Sequence, residues 1–228
     1  GIVNQNEFTF EAFGKIAVED LDKKLKIYSK KIIFNNKNEL LFSPFESIIE
    51  DDNGNKLIVD SFNYELQKDL LKVNNLNFTD KNNNVLKSSV AYINTKSNNL
   101  YGKDVFVNLD NKTLNENNEP RLKGNSIIDN VNNTEITKGV FTTCKKRDGC
   151  PPWELSAKKI THDKKKRLIR YENAYLKIYD KTVAYFPSFH HPDPTVERES
   201  GFLTPSFKNS SNRKNFLSLP YFLVIADN

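Results

Sequence analysis

One unit recurs along this chain and constrains its fold more than any other feature. A small or polar start leads into an apolar triplet, then a polar turn, then an apolar return. It reads as SKKIIFNNKNELLF from Ser29, DSFNYELQKDLLKV from Asp60 and KSSVAYINTKSNNLYG from Lys87. It reads again as GNSIIDNVNNTEITKG from Gly124 and SAKKITHDKKKRLIRY from Ser156. The period is roughly 30 residues, in the range where internal repeats build stacked architectures. One hairpin cannot bury its own apolar face, but hairpins stacked in series each cover the next.

Within the unit the apolar residues alternate, as expected of strands with one wet and one dry face. Ile32 and Phe34 share a parity, as do Val105 and Val107. Ile58, Phe62 and Tyr64 fall on one parity and Val59, Ser61 and Asn63 on the other. The dry faces line either a filled core or an elongated apolar groove. Aromatic residues make up 11% of the chain, mostly Phe and Tyr, which favour strands. Asparagine clusters such as Asn82–Asn84 and Asn117–Asn118 suit tight turns. Helical periodicity is nearly absent; the best candidate, Gly14 to Lys26, reads equally well as a strand and a turn. The class is therefore all-β.

A net charge of +5 is what an anionic partner would favour, whether nucleic acid, phospholipid or phosphorylated glycolipid. The basic residues are scattered among acids, however, and the one dense run, Lys164–Arg167, falls where a hairpin turn is expected. No nucleic-acid interface is assigned. No apolar stretch approaches the roughly 20 residues of a membrane helix. The chain begins with Gly1 and contains no Met, and so reads as a mature protein or a fragment.

Cys144 and Cys150 flank KKRDG, a spacing unlike the paired cysteines of a zinc site. A disulfide is the expected use, either between the two or with cysteines elsewhere, and it places the protein outside the reducing cytosol. Near the end, FHHPDPTVERESGFLTPSF offers His190, His191 and Asp193 as metal ligands. Adjacent histidines on a strand point to opposite faces and do not converge, so no metal or cofactor is expected. Pro187, Pro192 and Pro194 should stop the sheet pattern at a junction. Two further strand-like runs follow, each with a mid-strand proline, Pro205 and Pro220.

From Thr142 onward the residues TTC, PPWELSAKKITHD, ENAYLKIYDKTVAYFPSF, HPDPTVERESGFLTPSF and SLPYF, in this order, resemble the LptD family of LPS-assembly proteins, also called organic solvent tolerance or OstA-like proteins. Residues 1–141 resemble it only through the repeat. The family has Gly where this chain has Lys208, and often again near Lys214 or Asn215. The resemblance implies an open, V-shaped β-jellyroll over residues 1–197 and the first strands of an outer-membrane β-barrel over residues 198–228. It implies a groove for lipid A acyl chains, with Ile32, Phe34, Ile58, Phe62, Tyr64, Val105 and Val107 as its lining. It further implies edge-to-edge docking with an LptA-like bridge protein, an LptE-like lipoprotein held by the barrel, and a location at the outer membrane facing the periplasm. Cys144 matches a family disulfide position, and Pro205 and Pro220 match prolines that weaken a lateral seam. The function implied is non-enzymatic passage of lipopolysaccharide. The competing expectations are a metal-dependent carbohydrate-acting enzyme using His190, His191 and Asp193, and a lipid-free structural bridge.

Overall fold

A computed structural model describes residues 1–109, 119–144, 152–192, 200–202, 206–209, 215–218 and 220–223. Its strands are β1 (Ile2–Asn4), β2 (Thr9–Asp20), β3 (Leu25–Asn35), β4 (Leu40–Ser43), β5 (Ser47–Glu50), β6 (Lys56–Val59) and β7 (Ser61–Glu65). They continue as β8 (Leu70–Thr79), β9 (Val85–Asn94), β10 (Asn99–Asn108), β11 (Arg121–Asp129), β12 (Asn133–Thr142), β13 (Trp153–Asp163), β14 (Leu168–Ile178) and β15 (Lys181–Pro192). Among the described residues a single 3-10 turn, Leu66–Lys68, interrupts them. These pair antiparallel in one 15-stranded sheet that follows chain order except that β4 pairs with β7, while β5 and β6 lie to one side, β5 between β3 and β6 and β6 between β5 and β8. Gly14–Lys26 belongs to the β2–β3 hairpin, not to a helix. No helix of the described residues is long and apolar enough to cross a membrane.

The turns explain the asparagines. Asn4, Asp20, Asn35, Asn94 and Asp163 each close a strand with a side-chain oxygen that accepts the backbone N–H groups two and three residues ahead. Each turn then ends on a left-handed residue: Phe8, Lys24, Glu39, Asn98 and Arg167. The run Lys164–Arg167 is such a turn, as expected. Asp51 and Asp80 begin a second, matched pair of turns. There the aspartate accepts the N–H groups of residues two and four ahead and the side-chain amide of Asn55 or Asn84. These side chains offer turning backbone its missing partners.

The long strands bend in the middle, which turns one sheet into two facing half-sheets. Asn75, Asp104, Lys138 and Asn173 have φ between 48° and 51°, and Gly14 has φ 107°. At each, the ladder skips a residue. At Gly14 β2 carries one extra residue, a bulge that bends and twists the strand. At the other four positions the same number of residues drops out on both strands and register is kept, so the left-handed residue itself turns the strand, and its recurrence in alternate strands makes a continuous bend line. Where the early strands are too short to bend, the chain changes half-sheet outright. β4 pairs with Ile33–Asn35 of β3, whereas β5 pairs with Lys26–Ser29. Ser29, Ser43 and Ser47 meet at this crossing, buried and hydrogen bonded to one another at 2.9 and 3.0 Å. The β6–β7 crossing at Asp60 swaps the buried parity, so Leu57 and Val59 point inward with Phe62 and Tyr64. Ile58, expected on their face, points the other way.

Apolar side chains of both half-sheets fill the interior. One cluster is built around Ile27, Ile49, Val59, Phe62, Tyr64 and Val73, and the next around Val105, Ile127, Ile160, Tyr171 and Leu176. Phe78 and Leu100 pack against both. The architecture is a β-jellyroll of stacked antiparallel strands, in agreement with the sequence. Pro187 does not stop it: β15 runs through Pro187 to Pro192. Among the described residues only β14 pairs with this strand, and Pro187 falls opposite Asn173, where the ladder already skips, so no ladder bond is lost.

Beyond the junction, β16 (Gly201–Phe202) pairs with β19 (Tyr221–Phe222), and β17 (Ser206–Asn209) pairs with β18 (Asn215–Ser218). These are two short ladders of one interrupted hairpin, and Pro220 lies at the interruption. Pro205 lies outside the described residues, as do Cys150, Asp193 and Pro194.

Candidate functional site: an apolar trough at the N-terminal end

The stack is not filled equally along its length. At the N-terminal end a trough of about 820 Å³ opens between the two halves of β2 and the core. Its walls are apolar: Phe10, Ala12, Ile16, Val18, Ile27, Ile32, Phe34, Leu41, Tyr64 and Leu66. The reason lies in the edge. β2 has β3 on one side, and on the other only β1, which covers Thr9–Glu11. Beyond Glu11 its outer edge has no strand partner among the described residues, so no further hairpin closes the space. Ile2, Val3, Phe8, Phe10 and Phe13 are exposed around this edge.

Of the residues expected to line a groove, Ile32, Phe34 and Tyr64 line this trough. Phe62 and Val105 sit inside the packed clusters, and Val107 packs against the second. Ile58 faces outward. The residues that sequence reading missed are those of β2, chiefly Ala12, Ile16 and Val18. Their signal was a weak alternation split by Gly14, where the ladder with β3 slips.

One rim of the trough is polar and mostly acidic: Glu19, Asp20, Asp22 and Asp69, with Lys23 among them. Lys23 Nζ lies 2.9 Å from Asp69 Oδ1. The Asp69 carboxylate holds the Lys23 ammonium above the usual lysine range. A raised lysine pKa favours the folded state below pH about 10.4 and loses that contribution as pH rises further. The pair is therefore intact at neutral pH.

The Tyr64 hydroxyl donates to Asp20 Oδ2 at 3.1 Å and lies 3.0 Å from Thr95 Oγ1. Burial, and then the Asp20 carboxylate, push its pKa up to about 12. A phenol raised in this way stabilises the fold fully below pH about 10 and progressively less from there to its folded value. Absorbance titration of the phenolates is expected to show a late phase from Tyr64 and from Tyr171, whose burial also pushes its hydroxyl up. Tyr64→Phe should shrink the late phase by one phenolate and leave that of Tyr171; a late phase unchanged in this variant would refute the assignment.

The histidines do not converge. His190 is exposed on one face of β15, while His191 Nε2 lies 3.0 Å from the Tyr171 hydroxyl on the other. The His191 ring also stacks on Tyr171 at 5.5 Å. Among the described residues no three His, Cys, Asp or Glu side chains gather in a metal-holding group. Cys144 carries a free thiol, and its Sγ lies 3.8 Å from the Trp153 carbonyl.

No family model matches the chain. Curated relatives do. Over 95 residues it is 38% identical to the LPS-assembly protein LptD of Nitrosococcus oceani, covering 42% of this chain and 12% of that protein. It is 34% identical over 95 residues to LptD of Yersinia pestis, again 12% of the relative. Against LptD of Francisella tularensis subsp. novicida it is 34% identical over 76 residues, which is 33% of this chain and 9% of the relative. This chain carries an LptD-like segment. The likeness covers about an eighth or less of the relatives' length. The relatives are named for the assembly of lipopolysaccharide, not for a reaction. Together with the jellyroll, the LptD-like segment gives the enzyme reading no support.

Proposed function

We propose that this chain is the jellyroll portion of an LptD-like lipopolysaccharide-assembly protein, located on the periplasmic face of the outer membrane. It binds lipid A acyl chains without catalysis and hands them toward a β-barrel that begins near residue 198. The observation that carries this reading is the trough: an apolar space left open at the end of a stacked sheet, beside an unpaired strand edge. Transfer of an acyl chain from water into such a space yields about 0.8 kcal/mol per CH₂, so binding requires no bond to be made or broken. The exposed β1–β2 edge is suited to strand addition by an LptA-like bridge protein. An LptE-like lipoprotein belongs with the barrel. Cys144 and Cys150 remain the proposed disulfide cysteines, and Pro205 and Pro220 the proposed weak points of a barrel seam.

The test is photo-crosslinking in cells. Photoreactive residues at Ala12 and Ile16 are expected to capture lipopolysaccharide, and one at exposed Lys158 is not. Equal capture, or none, at all three sites would refute the reading.

A further inference from the structure

The bend line closes one side of the jellyroll. On the other side the turns of the two half-sheets face each other across a seam. The β2–β3 turn belongs to one half-sheet, because Asp20 pairs with Leu25 beyond the bend. Tyr64 and the Leu66–Lys68 turn belong to the other, because Tyr64 pairs with Leu41 and Leu71 before it. Two polar contacts cross this gap: Lys23 to Asp69 at 2.9 Å, and Tyr64 to Asp20 at 3.1 Å. All four residues also line the trough.

We propose that these two contacts form a latch across the seam, and that acyl chains enter the trough sideways when it opens. The inference rests on the function proposed above. Three further observations support it. First, the ion pair is sheltered. The Lys23 and Asp69 side chains are 24% and 21% exposed, against 68% and 46% for the neighbouring pair Lys24–Asp52, which stays within one half-sheet. Second, Asp69 is presented by an irregular element. The 3-10 turn replaces the plain four-residue turn used elsewhere, and Asp69 closes it at φ 53°. Asp69 O also accepts the Thr95 N–H and hydroxyl, which fixes this side of the latch. Third, the opposing wall has a joint. Gly14 has φ 107° and open space around it, and beyond it the Ile16–Asp20 half of β2 has β3 as its one strand partner among the described residues. Leu21, 78% exposed, sits at the tip of the movable turn and lines the trough. It gives an incoming hydrocarbon chain its first apolar contact.

Stopped-flow uptake of a fluorescent long-chain fatty acid by the full chain tests the latch. Asp69→Asn keeps the shape and removes the charge; it is expected to speed both entry and exit roughly fivefold, the scale of a partly screened ion pair. Adding Tyr64→Phe should speed them further. In a Cys144→Ser, Cys150→Ser background, Lys23→Cys with Asp69→Cys should behave like Asp69→Asn. The same protein bridged by a short bis-maleimide should take up the probe at well under a tenth of the unbridged rate. Equal rates in all forms would overturn the latch and leave the lipid trough standing. A probe that enters no form, including the wild type, would overturn the lipid reading and the latch with it.

Discussion

Phe62→Glu is expected to abolish folding of the N-terminal half of the stack, and Phe62→Ala to cost about 3–5 kcal/mol. Phe62 is 1% exposed and lies in the first core cluster, paired between Ser43 and Val73. Truncation leaves a cavity lined by side chains that the sheet on both flanks holds in place. A carboxylate there has no partner, and an unpaired buried charge costs more than any single contact the fold can offer in return. Urea unfolding followed by circular dichroism measures both variants. The control is Phe10→Glu on the trough wall, where the ring is 48% exposed and the loss should stay within about 1 kcal/mol. The contrast divides the interior into a part that holds the fold and a part free to hold a ligand. If Phe62→Glu folds as well as Phe10→Glu, that division is wrong, and the interior opens as a conduit far beyond the trough.

Much of this architecture is legible in the sequence, because it depends on local chemistry. Each Asx turn is specified within five residues, so the asparagines and aspartates marked the hairpins and the repeat marked the stack. Parity was reliable only as far as the next irregularity. Ile58 and Phe62 carry the same parity in sequence, yet Asp60 moves the chain between half-sheets, so Val59 takes the inward place. Asp104 and Lys138 cause the same loss of phase in β10 and β12; aspartate tolerates the left-handed region but does not require it, and nothing in a lysine announces φ near 50°. Pro187 reads as a stop because a proline removes a donor; at an edge position opposite a skipped residue there is no bond to remove. The candidate site was half legible. Ile32, Phe34 and Tyr64 stand out as strand residues of clear alternation, but the trough exists because no strand among the described residues covers the outer half of β2. An edge is a property of the whole sheet. The Lys23–Asp69 contact is less visible still, since it joins turns 46 residues apart that meet only after both half-sheets have bent.

Gly139→Val should destabilise the protein by about 3 kcal/mol, through a clash that can be relieved. Gly139 lies just past the bend of β12, directly beside Ala157, and Ala157 beside Ala174. This row of small residues sits directly beside the bend line. A Cβ on Gly139 would fall 2.4 Å from Ile160 Cδ1 and 2.9 Å from its Cγ1. Ile160 has nowhere to go, because it is buried and flanked by Ile136 and Tyr171 on the adjacent strands. Ile160→Val deletes the clashing methyl at a cost of about 1 kcal/mol. The double variant should therefore lie close to Gly139→Val alone or above it, with a favourable coupling on the order of 1 kcal/mol in a double-mutant cycle. Additive losses would mean that the half-sheets do not press together at this row. Coupled losses would mean that the C-terminal stretch of the jellyroll is closed by packing, so a lipid leaving the trough must part the seam instead of sliding through an open channel.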